Sequence, residues 1–157
     1  MDDYTLSNDA LAESWKAYVR GFAQWQNFVT LTFRDIVTRD QAEHQFRYLI
    51  QVLNRDLFGK HYTRIVGHCY CSYVVGFESQ KRGALHMHVL FDKPINFNLV
   101  HVVWNKMAGF AWIKPVDDVE AVSAYVAKYV SKGGDLSLYK PLQVKEPRFQ
   151  PFWYTGL

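Results

Sequence analysis

Cysteine is scarce in this chain of 157 residues. There are two, Cys69 and Cys71, one residue apart and in alternating register with a strand. Without a second pair they cannot build a four-thiolate site, and buried free thiols in a reducing compartment are expected. Glycine and proline number only nine and five, and no low-complexity tract occurs, so linkers and long disordered segments are not expected. No run approaches the roughly 18 consecutive apolar residues of a membrane span. The start MDDYTLSND lacks the basic and apolar parts of a secretory signal. A cytoplasmic protein with no membrane partner is the expectation.

What is present is a well-packed composition, 49% apolar and 17% aromatic, in a length that suits one domain over residues 1–157. The formal charge is +3, unevenly placed: residues 1–60 carry 7 basic and 8 acidic side chains, residues 61–157 carry 11 and 7. The second part is the one suited to an anionic partner.

Ser7, Asn8 and Asp9 are cap candidates for a first helix over 9–26, with Leu11, Trp15, Tyr18, Val19 and Phe22 at helical spacing. NFVTLTF alternates, placing Val29, Leu31 and Phe33 on one face and Phe28, Thr30 and Thr32 on the other. A long amphipathic helix follows, opened by Thr38 and closed near Gly59. RIVGHCYCSYVVGFES and ALHMHVLF read as neighbouring antiparallel strands joined by QKRG. NFNLVHVVWNKM reads as a helix, FAWIKPV as a strand, and DVEAVSAYVAKYVSKGG as a last helix begun by Asp117 or Asp118 and ended by Gly133 and Gly134. This order predicts an α+β fold: a ferredoxin-like split β-α-β antiparallel sheet with helices on one face and an extra helix free to cover the other. Residues 135–157 show no sustained period, and their packing is not predicted.

Within KRGALHMHVLF, period-two alternation sends His86 and His88 to one side and Leu85, Met87, Val89 and Phe91 to the other. The preceding strand brings Glu78 back alongside His86. Two imidazoles and one carboxylate, with positions left for water and a phosphate oxygen, suit Mn²⁺ or Mg²⁺ better than a closed zinc site. Two ordinary, partly exposed histidines account for the alternation equally well.

AYVAKYVSKGG places Tyr125, Tyr129 and Lys132 on one helical stripe with Lys128 beside it, each tyrosine three residues before a lysine. Val122, Val126 and Val130 form a second, apolar stripe. A phenol needs a nearby cation or metal to become a nucleophile near neutral pH, and lysine can stabilise charge on a phosphoryl group. Packed tyrosines with snorkelling lysines are the plainer reading of the same pattern.

Together FVTLTF, GALHMHVLF and YVAKYVSK resemble the replication initiator and relaxase superfamily named for its His-hydrophobic-His signature, specifically the two-tyrosine rolling-circle Rep endonucleases of phages, viruses and plasmids. The resemblance spans residues 28–134. It implies that His86 and His88 bind a divalent metal with Glu78 completing the site. Tyr125 and Tyr129 become nucleophiles, and Lys128 and Lys132 their associated lysines. It implies also a nicking and joining activity on a single-stranded or locally melted origin, through a 5′-phosphotyrosine, in a bacterial, archaeal or virus-infected cell. No GxxxxGK(S/T) loop occurs, so unwinding falls to a separate host or viral helicase.

Lys81, Arg82, Lys140, Lys145 and Arg148 are candidate phosphate contacts. Among Trp104, Trp112, Phe152, Trp153 and Tyr154 as candidate base-stackers, core packing is the expectation for the first two. A non-catalytic single-stranded nucleic-acid-binding module, or a metal phosphodiesterase that activates water, stands as the alternative.

Overall fold

The computed structural model describes residues 7–64, 71–131 and 135–139. Their elements run α1 (Asn8–Phe22), β1 (Asn27–Phe33), α2 (Arg39–Phe58), a 3₁₀ turn (Tyr62–Arg64), β2 (Tyr73–Ser79), β3 (Leu85–Phe91), α3 (Phe97–Met107), β4 (Gly109–Pro115), α4 (Val119–Ser131) and β5 (Asp135–Tyr139). The strands form one sheet in the order β4-β1-β3-β2-β5, with every neighbouring pair antiparallel. This is the α+β split β-α-β arrangement expected.

Alternation in the strands divides the interior in two. Val29, Leu31 and Phe33 of β1, Val75 and Phe77 of β2, and Met87, Val89 and Phe91 of β3 face α2 and α3 and bury Phe46, Leu49, Leu53, Val100 and Trp104. On the opposite face, Phe28, Val74 and Leu90 meet Val19 of α1, Trp25, and Val122 and Val126 of α4. The extra helix therefore covers the second face, and α1, which the sequence assigned to neither face, joins it there.

Local chemistry sets the ends of these elements. α2 opens on a reciprocal capping box, with Gln41 N–H donating to Thr38 Oγ1 at 3.2 Å and Thr38 N–H to Gln41 Oε1 at 2.9 Å. It closes on Gly59 at φ 88°. α1 stops at Phe22 rather than 26, because Trp25 turns back to donate its indole N–H to the Val19 carbonyl at 2.8 Å. That bond satisfies one of the last-turn acceptors. Asp118 caps α4, its carboxylate accepting from Ala121 N–H at 3.0 Å. Gly133 and Gly134, the expected end of that helix, lie outside the described residues.

β2 is shorter than predicted. Cys71 N–H donates to Asn54 Oδ1 at 3.0 Å and Ser72 N–H to Asp92 Oδ1 at 2.6 Å, so side chains take the donors a longer ladder would use. Cys71 is a buried free thiol, as expected, and burial pushes its pKa up. Cys69 lies outside the described residues. Residues 135–139, read as an unplaced tail, form β5 on the outer edge of β2, with Asp135 opposite Phe77 and Tyr139 opposite Tyr73. Among the described residues no helix is long and apolar enough to cross a membrane.

Gly109 opens β4 opposite Phe33. A Cβ there would overlap the Thr32 carbonyl oxygen and lie 2.8 Å from Arg34 N, and backbone on both sides cannot yield as a side chain can. Gly109→Ala is expected to lower unfolding free energy by about 2 kcal/mol or more, read by urea denaturation. Wild-type stability in that variant would show that β4 does not pair in this register.

Candidate active site

Two adjacent rows of the sheet build the site. Thr30, His88 and Gly76 stand opposite one another across β1, β3 and β2, and Thr32, His86 and Glu78 form the next row. Both rows project toward α4. His86 and His88 thus share a face, and the β2–β3 register puts Glu78 directly across from His86.

His88 is 3% exposed and both its ring nitrogens are engaged. Nδ1 lies 3.2 Å from Thr30 Oγ1 and Nε2 lies 3.1 Å from Glu78 Oε2. The Thr30 hydroxyl can donate or accept, so it can hold either neutral tautomer. When it accepts from Nδ1–H, Nε2 is left with its lone pair facing Glu78, the arrangement in which an imidazole binds a metal. His86 is half-buried, its Nδ1 3.4 Å from Gln80 Nε2, and its ring centroid is 6.2 Å from that of His88.

Burial lowers the pKa of both histidines. The Glu78 charge opposes this, while Arg82 adds to the lowering at His86, and His86 and Lys128 add to it at His88. Both rings are therefore biased toward the neutral, metal-binding form.

α4 brings the phenols onto this row. The Tyr129 ring stacks on His88 at 4.9 Å and 6°, and Tyr125 meets the same imidazole edge-on at 5.2 Å. Lys128 Nζ lies 3.6 Å from the Tyr125 ring centroid and 5.4 Å from that of Tyr129. The two tyrosines differ in access: Tyr125 is 37% exposed and Tyr129 only 2%.

Tyr129 is thus a packing residue, which the presence of a separate valine stripe did not lead one to expect. It packs because Gly76, across from His88, has no side chain: a Cβ there would come within 3.0 Å of Tyr129 Cδ2. The buried Tyr129 hydroxyl has no hydrogen-bond partner among the described residues. Burial raises its pKa, and Tyr125 and Glu78 beside it raise it further.

The donor chemistry fits a divalent cation. Two neutral imidazoles and a carboxylate line one patch, and 3.1 Å between His88 Nε2 and Glu78 Oε2 is the separation of neighbouring donors whose bonds to one ion are about 2.0–2.2 Å. Among the described residues no three His, Cys, Asp or Glu side chains close around one point; a three-donor site requires His86 to turn from Gln80 toward the other pair.

The remaining candidates are scattered. Lys81 and Arg82 sit on the β2–β3 turn, where Arg82 donates to Gln80 Oε1 at 3.1 Å and to the Phe33 carbonyl at 3.0 Å, so its guanidinium has a local bracing role. Lys132, Lys140, Lys145, Arg148, Phe152, Trp153 and Tyr154 lie outside the described residues. Trp104 is buried, as expected, but Trp112 is 49% exposed. Thr30 and Gly76 are the site residues sequence reasoning missed. The hydroxyl face of NFVTLTF was a signal for Thr30, whereas a glycine inside a strand gave no hint of what would occupy its space.

A family model for replication-associated proteins of the ORF2 type matches residues 26–134. The match includes every strand from β1 to β4 and the whole of α4, and the chain belongs to this family of replication-associated proteins. Comparison with curated proteins and with solved structures finds no match.

Gly76→Ala is expected to cost about 1–3 kcal/mol and to displace the Tyr129 ring from His88, shifting the His88 ring-proton resonances through the lost ring current. Unchanged resonances in a folded variant would contradict the stacked arrangement.

Proposed function

We propose that this replication-associated protein is a metal-dependent, site-specific single-stranded DNA endonuclease and strand transferase of the two-tyrosine His-hydrophobic-His type, which nicks an origin and initiates rolling-circle replication. The observation that carries this reading is the convergence of two phenols, a lysine and two imidazoles: Tyr125 and Tyr129 lie on His88 at 5.2 and 4.9 Å, with Lys128 over Tyr125. Solvent-exposed tyrosine beside lysine and neutral histidine is a costly arrangement to keep for packing alone. It is a useful one for phosphoryl transfer.

Glu78, His86 and His88 would hold the cation. A bound Mn²⁺ or Mg²⁺ would supply Lewis-acid charge to a non-bridging phosphate oxygen. Tyr125 is the first nucleophile in this reading because it is the accessible phenol of the pair. Its oxygen forms a bond to phosphorus as the bond from phosphorus to the 3′-oxygen breaks; the phenolic proton is lost and the departing oxygen becomes a 3′-hydroxyl. Lys128 stabilises negative charge on the phenol and then on the phosphoryl group. The 5′-phosphotyrosine retains a phosphodiester, so a 3′-hydroxyl can reverse the step without nucleotide hydrolysis. Tyr129 serves a second transfer and must leave its stack on His88 to do so. Lys132 assists it, and Lys81, Lys140, Lys145 and Arg148 contact the DNA backbone. Duplex opening falls to a separate helicase.

The direct bond between His88 and Glu78 favours a second reading, in which the two form a structural pair and the domain binds single strands without cutting them. Tyr125→Phe separates the readings. With labelled single-stranded origin DNA and Mn²⁺, the wild-type chain is expected to give a covalent adduct stable to denaturing electrophoresis, and Tyr125→Phe none. Absence of an adduct from the wild-type chain under every divalent ion rejects the nicking reading. His86→Ala should lower cleavage about 100-fold or more while the melting temperature stays within a few degrees, since the ring makes no core contact; full cleavage in that variant removes the metal site.

A further inference from the structure

Beside the candidate site, the same sheet face carries a row of aromatics that neither the core nor the chemistry uses. β4 is the edge strand next to β1. Its register sets Phe110 opposite Thr32, Trp112 opposite Thr30 and Lys114 opposite Phe28, so these side chains stand on the face that bears His86 and His88. Phe110 is 58% exposed and Trp112 49%. Phe28 connects them to the site: its ring lies 5.5 Å from Tyr125, 6.1 Å from His88 and 6.5 Å from Trp112. Lys114 Nζ stands 5.7 Å from the Phe28 ring and 5.5 Å from that of Trp112. Past Phe110, a cleft of about 270 Å³ lies between β4 and α3, with His101 and Asn105 as its polar lining.

We propose that Trp112 and Phe110 are a stacking platform for unpaired bases flanking the scissile phosphate, with Lys114 holding the intervening backbone phosphate. This deepens the nickase reading and rests on it. Three observations choose single-stranded DNA as the occupant. The aromatic row is continuous with the phenols through Phe28, so a strand engaged at the site passes over it. The charged group over the Phe28 and Trp112 rings is a cation, as a phosphate requires. The rings stand up from the sheet rather than outward along the hydrogen-bonding edge of β4, where an added peptide strand would pair.

The test uses the full chain in a Tyr125→Phe background, with fluorescent single-stranded origin oligonucleotides shortened stepwise from either end. Trp112→Ala is expected to weaken binding about 10-fold, only for oligonucleotides that extend past the scissile position on one side. Trp112→Phe should stay within about threefold of the parent, because it keeps a stacking ring. Lys114→Gln should weaken binding and flatten its salt dependence. With Tyr125 restored, Trp112→Ala should leave adduct formation on the shortest cleavable oligonucleotide unchanged.

Equal binding by Trp112→Ala and its parent at every length overturns the platform. So does equal weakening at every length, which marks a structural effect, and so does loss of self-association in place of DNA affinity, which marks a contact between copies. If the wild-type chain forms its adduct and Trp112→Ala shows no length-dependent defect, the platform alone falls. Length-dependent binding that needs Trp112, without any adduct from the wild-type chain, leaves the platform standing and removes the nickase.

Discussion

The in-register antiparallel pairing of β1, β3 and β2 is the constraint on which the rest depends. It places Thr30, His88 and Gly76 in one row and Thr32, His86 and Glu78 in the next. A slip of one residue at either interface would send the imidazoles or their partners into the hydrophobic layer. That layer prevents the slip, because Met87, Val89 and Phe91 are buried completely on the opposite face. The apolar half of β3 thus holds its polar half in place, and core packing and site geometry are two consequences of one alternation.

The second layer turns a row of polar side chains into a site. α4 is fastened by Val122 and Val126 against Phe28, Val74 and Leu90, and by its long contact with α1. On the outer surface Glu120 bridges to both Arg20 and Lys16 of α1; exposed pairs of this kind add little stability, so the apolar seam sets the helix position. Phenols four residues apart then reach the same histidine from two directions. Gly76 completes the fit by leaving the volume that the Tyr129 ring occupies. The arrangement is asymmetric: one phenol is accessible beside a lysine, the other is buried, its hydroxyl unpaired among the described residues. Buried polar groups left without a partner are costly, and such a group at a candidate site is consistent with a residue that changes its surroundings as the reaction proceeds.

Membership in the replication-associated family supplies the biological setting, since the matched residues contain the histidine strand and the tyrosine helix together. The chemistry proposed for them follows from separate considerations: neutral imidazoles facing a carboxylate at the spacing of shared ligands, and a phenol–lysine pair in contact with the same ring. Neither depends on the exposed aromatic row of β4, which extends the functional face from a point of chemistry to a surface long enough for several nucleotides.

Alternation and helical spacing made most of this molecule legible in the chain itself. The α+β order, the two faces of β1, the capping of α2, the common side of His86 and His88, and the common stripe of Tyr125 and Tyr129 are all local periodicities, fixed by backbone geometry within one element. Four features were decided only by tertiary structure. β5 forms because β2 has a free edge, a condition Asp135–Tyr139 cannot express alone. Tyr129 is buried because a glycine on another strand makes room for it, Thr30 is bonded to His88 because of strand register, and Trp112 is exposed because β4 lies at the sheet edge beyond the reach of α4. Each of these depends on which element lies beside which, and that is set by long-range burial that no single stretch of sequence contains.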